Sequence, residues 1–355
     1  MKRLKNIPDN SNGLVLKPKE LVVTVAVVLV LVLAVLPYAW RKARRAEIPK
    51  GFRLAESLRD DYYGYRMVAD AVCEKYPSVF IGDSVIWGKC VDNDNTLPEL
   101  VNRELGREEI GNLAVDGLHP VAMERLLRDH GGAIQGKRVF LYWNPLWMNT
   151  PSEDLSGTSE ASINHPRLLP QFDPSYRSYR AKFGDRWSAF LEQNVGFCAW
   201  LRHCRAAYCD NQDVKKVIAS GKPLTVYSPA ESRRANSDAW WEKRGVKVQD
   251  WPWVSPARSR QYAAFRRVIT LLEKRGNQVT VVLGTINPYM QTPECLERYR
   301  KLRAEVVADL RNSGVATIDL PELESEEYAD ASHPLVGGYR KLAGVIAEHI
   351  RKGND

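Results

Sequence analysis

The 355-residue chain has no Cys-x-x-Cys pair and no glycine-rich phosphate loop. Those absences remove the common zinc-ribbon and dithiol redox motifs, and the usual nucleotide cradle. It shows no internal repeat at the ~20–50-residue periods of solenoids and propellers. Charge of one sign is also scarce, since Lys+Arg 51 against Asp+Glu 43 leaves only +8. That excess is small for a chain this size and a good part of it sits near one apolar segment, so it does not point to nucleic acid, which is not an expected partner. The six cysteines are Cys73, Cys90, Cys198, Cys204, Cys209 and Cys295. Three of them surround His203, but a zinc site wants four ligands at tighter spacing. Within Cys198–Cys209 one local disulfide is expected if the domain meets an oxidising compartment; otherwise these are buried thiols. No metal, nucleotide or redox cofactor is indicated.

Long apolar runs are limited to one, Leu21–Ala39, which carries no charge. At 1.5 Å per residue it spans about 28 Å, close to the ~30 Å hydrocarbon core of a bilayer. A buried core helix or a cleaved signal peptide are the rivals. The run exceeds the ~7–15 residues of a signal-peptide core and ends in Pro37-Tyr38-Ala39-Trp40 rather than a small-residue site. The expectation is an uncleaved transmembrane anchor at 21–39, after a basic tail at 1–20 and before a stalk or leading helix at 40–74. Lys2, Arg3, Lys5, Lys17 and Lys19 precede the span, and Arg41, Lys42, Arg44, Arg45 and Lys50 follow it. The two flanks nearly tie, so charge alone does not orient it.

From about residue 75 the pattern changes, and 44% apolar composition supplies a sizeable core. Short apolar runs (Val79–Ile81, Ile110–Ala114, Val139–Tyr142, Gln278–Leu283, Ala316–Leu320) alternate with amphipathic stretches near 97–105, 121–129, 293–312 and 334–351. Strands alternating with helices predict βαβ units, hence an α/β domain over 75–355 whose parallel sheet is covered on both sides. Residues 150–257, rich in Pro and Trp, break the rhythm and read as an insertion packed over one edge of the sheet.

Four motifs fall where strands end or helices begin, which is where open parallel sheets carry their sites. Gly82-Asp83-Ser84 follows the first strand; Gly lets the chain turn and Ser84 offers a hydroxyl. Asp330-Ala331-Ser332-His333 precedes the last helix. A serine hydroxyl is a weak nucleophile at neutral pH and needs a base; imidazole suits, and a carboxylate fixes its tautomer. Gly117, in Asn112–Gly117, can offer a backbone N–H to a developing oxyanion, and Asn144 can offer its side-chain amide. Each motif alone also reads as a helix cap or a turn.

Taken in order, Ser84, Gly117, Asn144 and Asp330/His333 make the sequence resemble the SGNH hydrolase superfamily, the GDSL-type esterases, over roughly 75–150 and 277–350. The resemblance implies a flavodoxin-like, three-layer αβα fold with a five-stranded parallel sheet. It implies Ser84 as nucleophile, His333 as base and Asp330 as its partner. Ser84, Gly117 and Asn144 become the oxyanion donors. Val85 stands where the name motif has Leu, and Tyr142 and Pro145 replace the Gly and Asp that flank the family's Asn.

A single anchor before such a domain is similar to bacterial membrane-tethered proteins that add or remove acyl groups on cell-surface polymers. The expected function is therefore a serine esterase or O-acyltransferase, facing the periplasm or exterior. Its substrate would be an acylated polysaccharide, with a membrane-bound acyltransferase as a candidate partner. Trp143 and Trp147, beside Asn144, are the expected sugar-stacking residues. The alternatives are a lipid or small-ester hydrolase and an inactive scaffold in a polymer-modifying complex.

Overall fold

The structure, a computed structural model, describes residues 16–43, 46–209, 212, 216, 230–231 and 239–352. The chain divides into two compact units, Met1–Arg44 and Arg45–Asp355.

The first unit is helical through Pro18–Val30, a π-helical turn at Leu31–Val35, and Leu36–Ala43. Pro37 has no N–H for the carbonyl one turn earlier, and the π turn lies directly before it. The stretch Pro18–Lys42, 25 residues with a mean hydropathy of 2.9 in its most apolar window, is long and apolar enough to cross a membrane. A secretory signal sequence meets the same description. Its side chains stand open, Val22 at 68% and Val30 at 61% exposure, a surface unfavourable in water and neutral in hydrocarbon. The expected span at 21–39 lies within this helix; most of the expected tail at 1–20 lies outside the described residues.

In the second unit, five parallel strands form one sheet: β1 (Ser78–Ile81), β2 (Ile110–Asn112), β3 (Arg138–Trp143), β4 (Gln278–Leu283) and β5 (Ala316–Asp319). They lie in the order β2-β1-β3-β4-β5, the doubly wound arrangement called flavodoxin-like. Register is continuous, with Phe80 opposite Phe140, and Phe140 opposite Thr280. Every residue of β1 and β2, and all of β3 after Arg138, is buried, as strands covered on both faces must be.

The flanking helices are α1 (Tyr62–Lys75), the single turn α2 (Ser84–Trp87), α3 (Leu97–Leu105), α4 (Pro120–His130), α5 (Phe183–Asn194), α6 (Gly196–Cys209), α7 (Arg260–Lys274), α8 (Pro293–Asn312) and α9 (Val336–Lys352). Helix α3 packs with α9, and α4 with α7. Several helices match the periodicity: one is expected over 97–105 and found at Leu97–Leu105, and one over 293–312 is found at Pro293–Asn312, whereas α7 was not expected.

Two expectations are corrected here. Of the stalk or leading helix expected at 40–74, the structure has the helix, at Tyr62–Lys75, and not a stalk, because residues 46–74 belong to the folded unit. Tyr65, Val68, Ala69 and Val72 of α1 are fully buried. Arg53–Leu54 pairs antiparallel with Ala230–Glu231. Tyr62, Tyr63 and Tyr65, scattered aromatics in a charged stretch of sequence, are buried in the fold.

The described part of the insertion does not line a strand edge. Leu155, Leu169 and Tyr179 form a second apolar cluster with Val121 of α4 and Ala264 of α7. Asp154 accepts the first backbone N–H groups of α7, Arg260 and Gln261, both at 3.2 Å. Helix α6 reaches α1 through His203 Nδ1 and Asp61 Oδ2, 2.9 Å apart. Helix α6 also explains why Cys198, Cys204 and Cys209 are free thiols and not a disulfide. All three lie on this one helix at spacings of six, five and eleven, and only three- or four-residue spacings bring side chains on one helix into contact.

Candidate active site

The chain leaves β1 at Ile81 and turns through Gly82, where a Cβ would lie 2.6 Å from Ile86 Cγ1. No larger residue fits that turn without displacing α2. Asp83 caps α2, its Oδ1 accepting the Val85 N–H at 3.0 Å. Ser84 is thereby the first helical residue, partly exposed just past the carboxyl end of β1.

From the other end of the chain, the loop before α9 closes on itself. Ala329 N–H donates to the His333 carbonyl at 2.8 Å, and Tyr328 bridges to Pro334. Within it Asp330 Oδ1 accepts the backbone N–H groups of Ser332 and His333, both at 3.1 Å. His333 Nδ1 lies 2.8 and 2.9 Å from the two Asp330 oxygens, and its Nε2 lies 2.8 Å from Ser84 Oγ. A carboxylate only accepts, so Nδ1 carries the proton and Nε2 is left to accept from the Ser84 hydroxyl. Burial alone would push Asp330 upward. The charge and hydrogen bond of His333, with the two loop N–H groups, outweigh it and hold the carboxyl well below the usual range. Burial likewise works against His333, but the Asp330 charge and hydrogen bond raise its pKa on balance, with Asp83 adding and Lys89 opposing.

Asn144 follows β3 and is 3% exposed. Its Oδ1 accepts the Leu146 N–H at 3.0 Å, and its Nδ2 donates to Asp83 Oδ2 at 2.7 Å. One amide hydrogen is therefore committed, and the amide is held beside the residue that precedes Ser84. Asp83 itself is pushed upward by burial, against the Asn144 and Val85 hydrogen bonds and the His333 charge. Gly117 sits on the loop after β2, which Val115 N–H ties to the Gly82 carbonyl at 3.1 Å. Its φ of +74° favours glycine, and a Cβ would meet the Asn164 side chain at 3.0 Å.

The structure thus joins Ser84, His333 and Asp330 directly, ties Asn144 to them through Asp83, and brings the Gly117 loop against Gly82. It separates Trp143 and Trp147 from any stacking role. Trp143 is the last residue of β3 and is 0% exposed, while Trp147 is 7% exposed with its ring 6.0 Å from that of Phe265 on α7. In a sheet covered on both faces, a residue next to the site in sequence points into one of the two layers.

Four neighbours carry no sequence motif. Lys89 Nζ pairs with the buried Asp116 at 3.2 Å. Arg244, from the insertion, lies 3.8 Å from Asp330 Oδ2. Arg53, buried in the stretch expected to be a stalk, donates to the carbonyls of Gly88 and Val91 just after α2, at 2.6 and 2.8 Å. Cys90 puts its sulfur within 4.8 Å of ligand-type atoms of Asp330 and His333. Both His333 nitrogens are already engaged, however, by Asp330 and Ser84.

No protein-family profile and no curated relative matches the sequence. Solved structures do. A GDSL-like lipase from Bacteroides thetaiotaomicron aligns over 83% of this chain and 99% of its own, at 10% identity and a TM-score of 0.40. A lipolytic protein of the G-D-S-L family from Veillonella parvula aligns over 78% and 98%, at 12% identity and a TM-score of 0.38. A family two carbohydrate esterase from Clostridium thermocellum, solved with cellohexaose, aligns over 79% of this chain and 64% of its own. Its identity is 10% and its TM-score 0.33.

Proposed function

We propose that the protein is a serine ester hydrolase of the SGNH type, working through an acyl-serine intermediate. One observation carries this reading: Ser84 Oγ, His333 and Asp330 form a continuous hydrogen-bonded chain at 2.8 and 2.8–2.9 Å. His333 Nε2 takes the Ser84 proton as Oγ attacks the ester carbonyl. The imidazolium then gives that proton to the leaving alcohol, and Asp330 stabilises the charge meanwhile. The oxyanion is received by the N–H groups of Ser84 and Gly117 and the uncommitted amide hydrogen of Asn144. Water, activated by His333, releases the acyl group. Transfer to a sugar hydroxyl would use the same residues, so the product assay distinguishes esterase from acyltransferase.

The substrate in this reading is a short acyl ester, acetyl foremost, on a cell-surface polysaccharide outside the cytoplasm. The apolar helix Pro18–Lys42 supports it as a membrane anchor holding the folded unit close to such a polymer.

The test is turnover of p-nitrophenyl acetate by the full-length chain in detergent, with mass-spectrometric trapping of the acyl-enzyme. An acetyl group on the peptide containing Ser84 is the expected result. Turnover without a Ser84 adduct, equal in a Ser84→Ala chain, would sink the reading. The pH profile follows from the base. The reaction needs neutral His333, whose pKa is raised, so kcat/KM is expected to fall on the acid side from a midpoint above the ordinary ~6.5 of histidine. Asn144→Ala is expected to lower kcat by about 10²–10³-fold with little change in KM, as loss of one oxyanion donor does. An unchanged kcat would remove Asn144 from the mechanism.

A further inference from the structure

The turn at residues 240–246, near the end of the insertion, is fastened to the loop that carries Asp330. Trp241 N–H donates to the Tyr328 carbonyl at 3.0 Å, and Trp241 Nε1 donates to Ser325 Oγ at 3.0 Å. The turn is closed by Arg244 N–H to the Trp240 carbonyl at 3.2 Å and Val246 N–H to the Trp241 carbonyl at 3.1 Å. From it the Arg244 side chain reaches two successive residues of the loop. Its Nη1 donates to the Ala329 carbonyl at 2.7 Å and stands 3.8 Å from Asp330 Oδ2. Ala329 is the residue whose N–H closes the loop onto the His333 carbonyl.

We infer that Arg244 is a positioning residue, supplied by the insertion, which holds the Asp330 carboxylate square to His333 and places a fixed positive charge behind it. The inference rests on the esterase reading of the site. Two of its consequences differ. The hydrogen bond to Ala329 sets where the loop sits, and a nitrogen donor of another side chain can reproduce that in part. The charge opposes formation of the imidazolium, and only a cation can reproduce that. His333 is otherwise faced by Asp330 from its own loop, by Asp83 and Ser84 from the β1–α2 turn, and by Lys89 and Cys90 after α2. Lys89 is paired with Asp116, and the buried Cys90 thiol is held neutral, its pKa pushed up to about 11 mainly by burial. With Lys89 so paired, Arg244 is, among the described residues, the cation on the Asp330 side of the ring. At 35% exposure it is partly screened, so its effect on the titration is a fraction of that of a buried charge.

The experiment compares the full-length chain with Arg244→Gln and Arg244→Lys, measuring kcat, KM and the pH dependence of kcat/KM. Arg244→Gln is expected to lower kcat about 10- to 100-fold at nearly constant KM, as a misplaced catalytic pair does. It should also move the acid limb up by roughly half a pH unit. Arg244→Lys is expected to bring the limb back towards the wild-type position, whatever it does to kcat. Wild-type kcat and an unmoved limb in Arg244→Gln would overturn the inference. So would equal losses in both variants with no difference between their limbs, since that is what a merely structural residue gives. The low-field imidazole resonance of His333, titrated by NMR, reads the same charge without turnover. If the wild type proved no more active than Ser84→Ala, the esterase reading would fail by itself. The Arg244 inference would then stand or fall on whether Arg244→Gln raises that titration midpoint.

Discussion

Replacing Ser84 by alanine is expected to lower kcat for short-chain esters by at least about 10⁴-fold while leaving the fold unchanged. The hydroxyl is partly exposed and its one described partner is His333, so its removal opens no cavity and strands no buried donor. What remains is the oxyanion pocket, which in comparable hydrolases keeps only about 10³–10⁴ of rate over water. His333→Ala should fall as far, and the double variant no farther than either single one. Nucleophile and base act as one unit, and removing either disables both. Asp330→Asn is expected to lose about 10⁴-fold by another route. Its amide can donate to Nδ1, which turns the ring to the tautomer with its proton on Nε2, where it can no longer accept from Ser84. Steady-state kinetics of the four variants checks this. Losses that multiply between Ser84→Ala and His333→Ala would mean that the two do not share a step.

The second large effect is on stability. Arg53→Ala is expected to destabilise the folded unit by about 3 kcal/mol or more, because buried carbonyls would lose their donors at ~1–3 kcal/mol each. Arg53 is 0% exposed and donates to Gly88 and Val91 carbonyls and to Asn93 Oδ1, with its guanidinium 4.8 Å from the Trp87 ring centroid. Trp87 Nε1 in turn donates to the Leu54 carbonyl at 2.7 Å, so the two stretches clasp each other. A fall in Tm of roughly 5–10 °C is the expected readout for a unit of this size. Arg53→Lys should recover little, because one ammonium cannot meet acceptors arranged around a planar fork. A Tm within about 1 °C of wild type, on the ~2–4 °C per kcal/mol scale for domains of this size, would contradict the clasp.

How far the sequence could be read depends on what kind of neighbour each residue has. Strands β1 to β5 and helices α3, α4, α8 and α9 were legible from their apolar patterns, whereas the 15-residue α7, Arg260–Lys274, was not read. Asp330 and His333 were legible because their three-residue spacing is itself a contact. Arg53 was not, since its described hydrogen-bond partners are mostly backbone carbonyls, which any sequence provides. Arg244 was hidden for a related reason: it supports another side chain from a distance in sequence, with no spacing to betray it. Trp143 and Trp147 misled in the opposite sense. Adjacency to Asn144 suggested a shared surface, yet Trp143 ends a strand buried on both faces, and Trp147, one short turn later, packs on Phe265. The stretch before β1 read as a stalk or leading helix because its charges dominate the pattern, while the apolar surface of Tyr62 and Tyr65, which joins the core, does not show as a run.

Ser84 and His333 meet across 249 residues of chain. In the esterase reading a nascent polypeptide therefore holds its nucleophile, its Asn144 amide and its Gly117 turn long before it holds a base. The loop that supplies His333 is placed by α9, the last described helix, whose Tyr339 hydroxyl donates to the Val85 carbonyl at 2.5 Å. In the esterase reading the base is thus translated after every strand of the sheet, the last of which ends at Asp319. A chain truncated between residues 320 and 332 would encode the whole sheet and the nucleophile but lack the base, leaving at most the residual rate of the oxyanion pocket.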